Sequence, residues 1–121
     1  MTKIALKRVY DNADPHDGYR VLVDRLWPRG VKKEALQYDL WDKDITPSSE
    51  LRQWFHADPQ NRWDAFSKKY QEELNHSQAA KDFITLLHDH PVVTLLYASK
   101  DTVHTHAKVL KAYLEKHLPL K

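Results

Sequence analysis

The sequence of 121 residues contains no cysteine, which removes disulfides, zinc–thiolate centres, iron–sulfur ligation and thiol nucleophiles from consideration. It is also poor in glycine. Gly18 and Gly30 are the only two, so no glycine-rich phosphate loop can form, and a Walker P-loop, a GxGxxG fingerprint and a GxSxG elbow are all missing. No run approaches the ~18 apolar residues of a membrane span. The opening stretch MTKIALKRVYD has no apolar core of a signal peptide. A cytoplasmic protein with no membrane partner is therefore expected. Neither sign of charge predominates: 19 Lys and Arg against 17 Asp and Glu leave a net charge of +2, which gives no broad basic surface. Low-complexity tracts and internal repeats are lacking as well.

What is present is the make-up of one globular domain. Hydrophobic residues make up 41% of the chain, with four Trp, six Tyr and three Phe, and halves of this length would be too small to bury separate cores. One domain over residues 1–121 is expected. Residues 3–9 alternate between apolar and polar, as a half-buried strand does. A turn-rich stretch from Asp11 to Gly18 leads to a second β-branched run, Tyr19 to Asp24, which Pro28 and Gly30 bring to a stop. Residues 31–37 read as a short helix, followed by a third strand around Tyr38 to Asp42. Ser48 or Ser49 is placed to cap a helix carrying Leu51, Trp54 and Phe55 on its inner face. Asp58-Pro59 opens the next helix, with the stripe Trp63, Phe66, Tyr70 and Leu74. A further helix from about Ser77 carries Ala80, Phe83, Ile84 and Leu87.

The run Pro91 to Ala98 is almost wholly apolar, as suits a strand covered on both faces. Ser99 to Thr102 forms a short loop, with Asp101 as a candidate helix cap. Val103, Ala107, Leu110 and Leu114 mark a last amphipathic helix that ends near His117, before Pro119. The expectation is an α/β domain: a mixed, mostly parallel sheet of about three to five strands, flanked by helices on both faces.

Ligands of open α/β sheets sit beyond the carboxyl ends of the strands, and two loops there are unusually polar. In the first, Arg25, Trp27 and Arg29 follow the second strand; either arginine can grip a carboxylate or phosphate through two donors. In the second, Lys100 supplies a point charge near a helix N-terminus. Asp101 precedes His104 by three residues, the spacing at which a carboxylate orients an imidazole as a general base. Tyr97 and His106 complete the candidate set as ligand contacts. His104 and Asp101 are the candidate catalytic pair for hydrolysis or group transfer on a small anionic metabolite.

Structural roles compete with each of these. Asp101 suits a cap, Trp27 a packing anchor, and the arginines ion pairs with Asp24. No metal site is expected: His104 and His106 would sit about 200° apart on one helix, and His88-Asp89-His90 fits a helix end. No cofactor is implied. A non-catalytic regulatory or interaction module with the same pocket is the alternative class. Nucleic-acid binding is a weaker fit, since RGVKK at 29–33 and Lys68-Lys69 are the only basic clusters. Oligomerisation stays open.

The segments GYRVLVDRLWPRGV (18–31), PSSELRQWF (47–55) and TLLYASKDTVHTHAKVLKAYL (94–114) resemble the YeaO-like branch of a bacterial family, domain of unknown function 488. The resemblance covers nearly the whole chain, and DRLWPRG is its most specific string. It implies an α/β fold in a small, free-standing bacterial protein, and supplies no reaction. The family pattern falls on the two loops singled out above, with Thr105 here where Asn is more usual. Longer relatives carry a cysteine in the region matching Ala98 to His106. This chain has none, so thiolate chemistry does not transfer.

Overall fold

A computed structural model describes residues 2–118, and within it the apolar run Val92–Tyr97 becomes the middle strand of a sheet. Four strands, β1 (Lys3–Arg8), β2 (Tyr19–Leu22), β3 (Leu40–Trp41) and β4 (Val92–Tyr97), lie in the order β1-β4-β2-β3. All pairings are parallel. Residues opposite one another share a face: Ile4 aligns with Val93, and Val21 with Leu95. Because β4 is paired on both edges and covered on both faces, five of its six residues are buried, which is why its sequence does not alternate.

Four α-helices follow: α1 (Ser49–His56), α2 (Pro59–Asn75), α3 (Gln78–Leu87) and α4 (His106–His117). Ser48 caps α1 and Ser77 caps α3 through their side chains, as the residue preferences require. Asp58 and Pro59 open α2. Pro119, expected to stop the last helix, lies outside the described residues. Phe55, Phe66, Tyr70, Phe83, Leu110 and Leu114 join Val21, Val93 and Leu95 in the main core. Trp54, Trp63 and Ile84 pack against it partly buried.

The two faces of the sheet are covered unequally. The four α-helices all pack on the face of Val21, Val93 and Leu95. The other face, that of Leu22 and Leu96, is closed by Leu36, Trp27, Val31 and Trp41 and by a 3-10 turn at Pro15–Asp17. That turn carries Asp17 under the sheet, where Lys7 Nζ lies 3.1 Å away and Arg20 forms a second ion pair. Thr94 Oγ1 donates to the Asp17 carbonyl at 2.7 Å. Gly18 follows at φ +67°, so close to β4 that a Cβ there would sit 2.3 Å from the Val92 carbonyl oxygen.

Two local expectations are corrected. Residues 31–37 form turns rather than a helix. Trp27 Nε1 donates to the Val31 carbonyl at 2.6 Å, the acceptor a helix would assign to Ala35, whose N–H goes to Lys32 instead. Leu36 alone of these residues is buried, and so short a segment cannot repay helix nucleation without more burial. The last helix begins at His106 with Thr105 as its cap. Val103 therefore belongs to the loop and is 54% exposed, and the argument that placed His104 and His106 on one helix no longer applies.

Candidate functional site

A cleft of about 450 Å³ opens at the carboxyl ends of β2 and β4. Its origin is topological. The chain leaving β2 turns to the Leu22 face, whereas the chain leaving β4 turns to the helical face as α4, and such divergence parts adjacent loops. One wall is the loop from Asp24 to Arg29, the other runs from His104 to His106, and α1 closes the end with Arg52, Phe55 and His56.

Asp24 ties the walls together. Its Oδ2 accepts the Ala98 N–H at 2.9 Å, and its Oδ1 stands 3.6 Å from His106 Nε2. The Asp24 carbonyl accepts Trp41 Nε1 at 2.7 Å. His106 Nε2 is 2.7 Å from the Val23 carbonyl oxygen, which can only accept, so Nε2 carries the hydrogen. Burial pushes the Asp24 carboxyl above its ordinary range, against the pull of His106 and of the Ala98 N–H. Burial likewise lowers the proton affinity of His106; Asp24 and the Val23 carbonyl oppose this, while His56 and Arg52 reinforce it.

On the opposite wall, His104 Nδ1 is 3.0 Å from Asp101 Oδ2. Asp101 Oδ1 also accepts the backbone N–H groups of His104 and Val103. Asp101 thus caps a loop turn rather than a helix. The His104 N–H and then the Val103 N–H hold its carboxyl below the ordinary range. An ionised carboxylate accepts the hydrogen of Nδ1, and His104 Nε2 makes no hydrogen bond among the described residues. The edge of Trp63 packs against the ring, with centroids 5.3 Å apart.

Of the residues singled out in the sequence, Arg25, Trp27, Arg29, His104 and His106 line the cleft. Asp101 reaches it only through His104. Lys100 is exposed on its loop and Tyr97 is buried in the helix-side core; neither is among the lining residues. Trp27 also acts as a packing anchor, edge-on to Trp41 and Tyr38. Arg25 and Arg29 make no salt bridge among the described residues, and Asp24 faces His106 instead.

Arg52 was not apparent as a site residue in the sequence. It lines the cleft from α1, and its Nε is buried with no hydrogen-bond partner among the described residues. Its one sequence signal is the spacing to His56, which puts both on the same flank of α1 beside the Leu51 and Phe55 stripe. Among the described residues no group of three or more His, Asp or Glu could hold a metal ion. No described helix is long and apolar enough to cross a membrane.

Comparison with known proteins places this chain among relatives. Residues 3–120 match DUF488-N3i, described as the inactive DUF488-N3 subclade. The uncharacterized protein YeaO of Escherichia coli is 49% identical over 112 residues, spanning 92% of this chain and 96% of that one. An uncharacterized protein of Mycobacterium tuberculosis is 44% identical over 113 residues, spanning 93% and 94% respectively. No solved structure matches.

Proposed function

The chain belongs to the DUF488 family, and from that premise we propose that the cleft is a binding site for a small phosphate- or carboxylate-bearing ligand. The observation that carries this reading is Arg52: a cation in the wall of a cleft, with a buried donor left unpaired. The Arg52 guanidinium lines the cleft and makes no salt bridge among the described residues, so an anion in the cleft would supply the partner it lacks. Arg25 and Arg29 stand exposed at the rim of the same cleft, where they can steer an anion inward and pair with it. Asp24, the carboxylate in the wall, is already engaged by Ala98 and faces His106. The subclade's description as inactive and the absence of cysteine favour binding, as in a regulatory module, over turnover.

A thermal-shift series with inorganic phosphate, sulfate and small carboxylates tests this. Binding to the folded state adds about 2.7 kcal/mol at a hundredfold excess over Kd, so a clear rise in Tm is expected with at least one anion. Arg52→Met should abolish the rise, while Lys100→Ala, outside the cleft, should keep it. If no anion raises Tm, or if Lys100→Ala alone removes the effect, the reading fails.

A second reading rests on His104, oriented by Asp101 with Nε2 unoccupied, which is the arrangement of a general acid–base. On it the bound anion is hydrolysed or transferred. Incubation with phenyl phosphate should then release phenol and inorganic phosphate, and His104→Gln should slow the release by about 10²-fold or more. No release by the unaltered protein would remove this reading and leave the first intact.

A further inference from the structure

The cleft is larger and more apolar than an inorganic anion needs. Phosphate or sulfate occupies the volume of only about two or three waters, a small part of 450 Å³. Beside the arginines the lining includes Pro28, Pro47, Phe55 and Phe66. The two phenyl rings are stacked at 4.1 Å and almost wholly buried. Most telling is Leu26. It lines the cleft between Arg25 and Trp27, yet is 71% exposed, the highest value among the exposed large hydrophobic residues of the described chain. Packing within the fold does not explain it. Standing in the cleft wall among charged groups, Leu26 offers the apolar part of a ligand a surface to cover.

We infer that the ligand is an amphipathic anion, a phosphate or carboxylate joined to an apolar body that packs on Leu26, with its charged end at Arg52. The inference rests on the anion reading given above and goes on to name the ligand class. The charged head pairs with the Arg52 guanidinium, and the body displaces water from Leu26. Arg25 and Arg29, on either side of Leu26 in the chain, keep the mouth of the cleft cationic.

The test is calorimetric titration with three probes sharing one headgroup: inorganic phosphate, n-butyl phosphate and phenyl phosphate. At least one of the two esters should bind about tenfold tighter than inorganic phosphate. Leu26→Ser should weaken that ester about fivefold and leave inorganic phosphate unchanged, with an unaltered Tm showing that the exposed position does not serve the fold. Preference for the phenyl ester indicates a flat body, preference for the butyl ester a linear one, and either supports the inference. Equal affinity for all three, or a Leu26→Ser variant that binds the ester as tightly as before, overturns it while the anion reading stands. If none of the three binds, the inference is overturned for phosphates, and the carboxylates of the thermal-shift series decide whether the anion reading stands.

Discussion

Asp17 shows how much one carboxylate can organise in a small domain. It faces Lys7 from β1 and Arg20 from β2, and accepts the Asp14 N–H at 3.0 Å. Burial pushes its carboxyl up, but the Asp14 N–H, Lys7 and Arg20 together outweigh that and hold it below the ordinary value. A depressed carboxyl adds stability above the unfolded value of about 3.9, and that stability is lost as pH falls through the folded value. Asp17→Asn keeps the shape and leaves two cations facing a neutral amide, so about 3 kcal/mol of destabilisation is expected in urea denaturation. His106 acts in the same direction at higher pH, since burial lowers its proton affinity. Its folded form stays neutral while the unfolded chain takes up a proton below about pH 6.5, so acidification costs stability there. Raised Asp24 offsets part of this, because protonating a buried carboxyl favours the folded state. His106→Gln can keep the bond to the Val23 carbonyl without titrating. Its Tm should therefore fall less than that of the unaltered protein between pH 7 and pH 5.5. Identical slopes would exclude His106 as the titrating group.

Among the elements, turns carry the sharpest constraints. Gly18 and Gly30 both have positive φ, +67° and +79°, yet only Gly18 lies against backbone, since nothing lies within 4 Å of a Cβ built at Gly30. Gly30→Ala should cost about 1 kcal/mol for the left-handed conformation alone. Gly18→Ala should cost well over that, because β2 and β4 must move apart; chemical denaturation of the two variants makes the comparison. The same distinction between local and remote causes explains what the sequence revealed. Ser48, Ser77 and Pro59 set helix starts by bonds or dihedrals within one turn, and those starts were legible. So were β1, β2 and β4, whose apolar patterns reflect burial directly. The turns at 31–37 were not, because Trp27 takes a carbonyl from outside the segment. Nor was Thr105 as a cap, since Asp101 had equal local credentials and only the path of the loop decides between them. At the cleft, Arg25, Arg29 and His104 were legible as loop residues following strands. Arg52 came from a helix that only the tertiary fold carries to the sheet edge.

At the scale of the whole molecule, every strand contact is parallel and therefore joins residues distant in the chain, and β4 is the strand to which β1 and β2 both add. Amide exchange should follow that order: protons of β4 protected to the level of global unfolding, those of the two-residue β3 exchanging through local opening. Comparable rates in β3 and β4 would contradict the arrangement. The net charge of +2 conceals an uneven field, because Arg25, Arg29 and Arg52 gather around one cleft whose carboxylate is already engaged. The clasp that Asp24 makes between Ala98 and His106 bears on time as well as shape. Walls already fastened to one another need no closing step after a guest arrives. Stopped-flow mixing with phenyl phosphate should accordingly give a single exponential whose rate climbs in proportion to concentration without levelling off. Asp24→Asn, which loosens the clasp, should introduce a plateau, the sign of a wall that must first find its place.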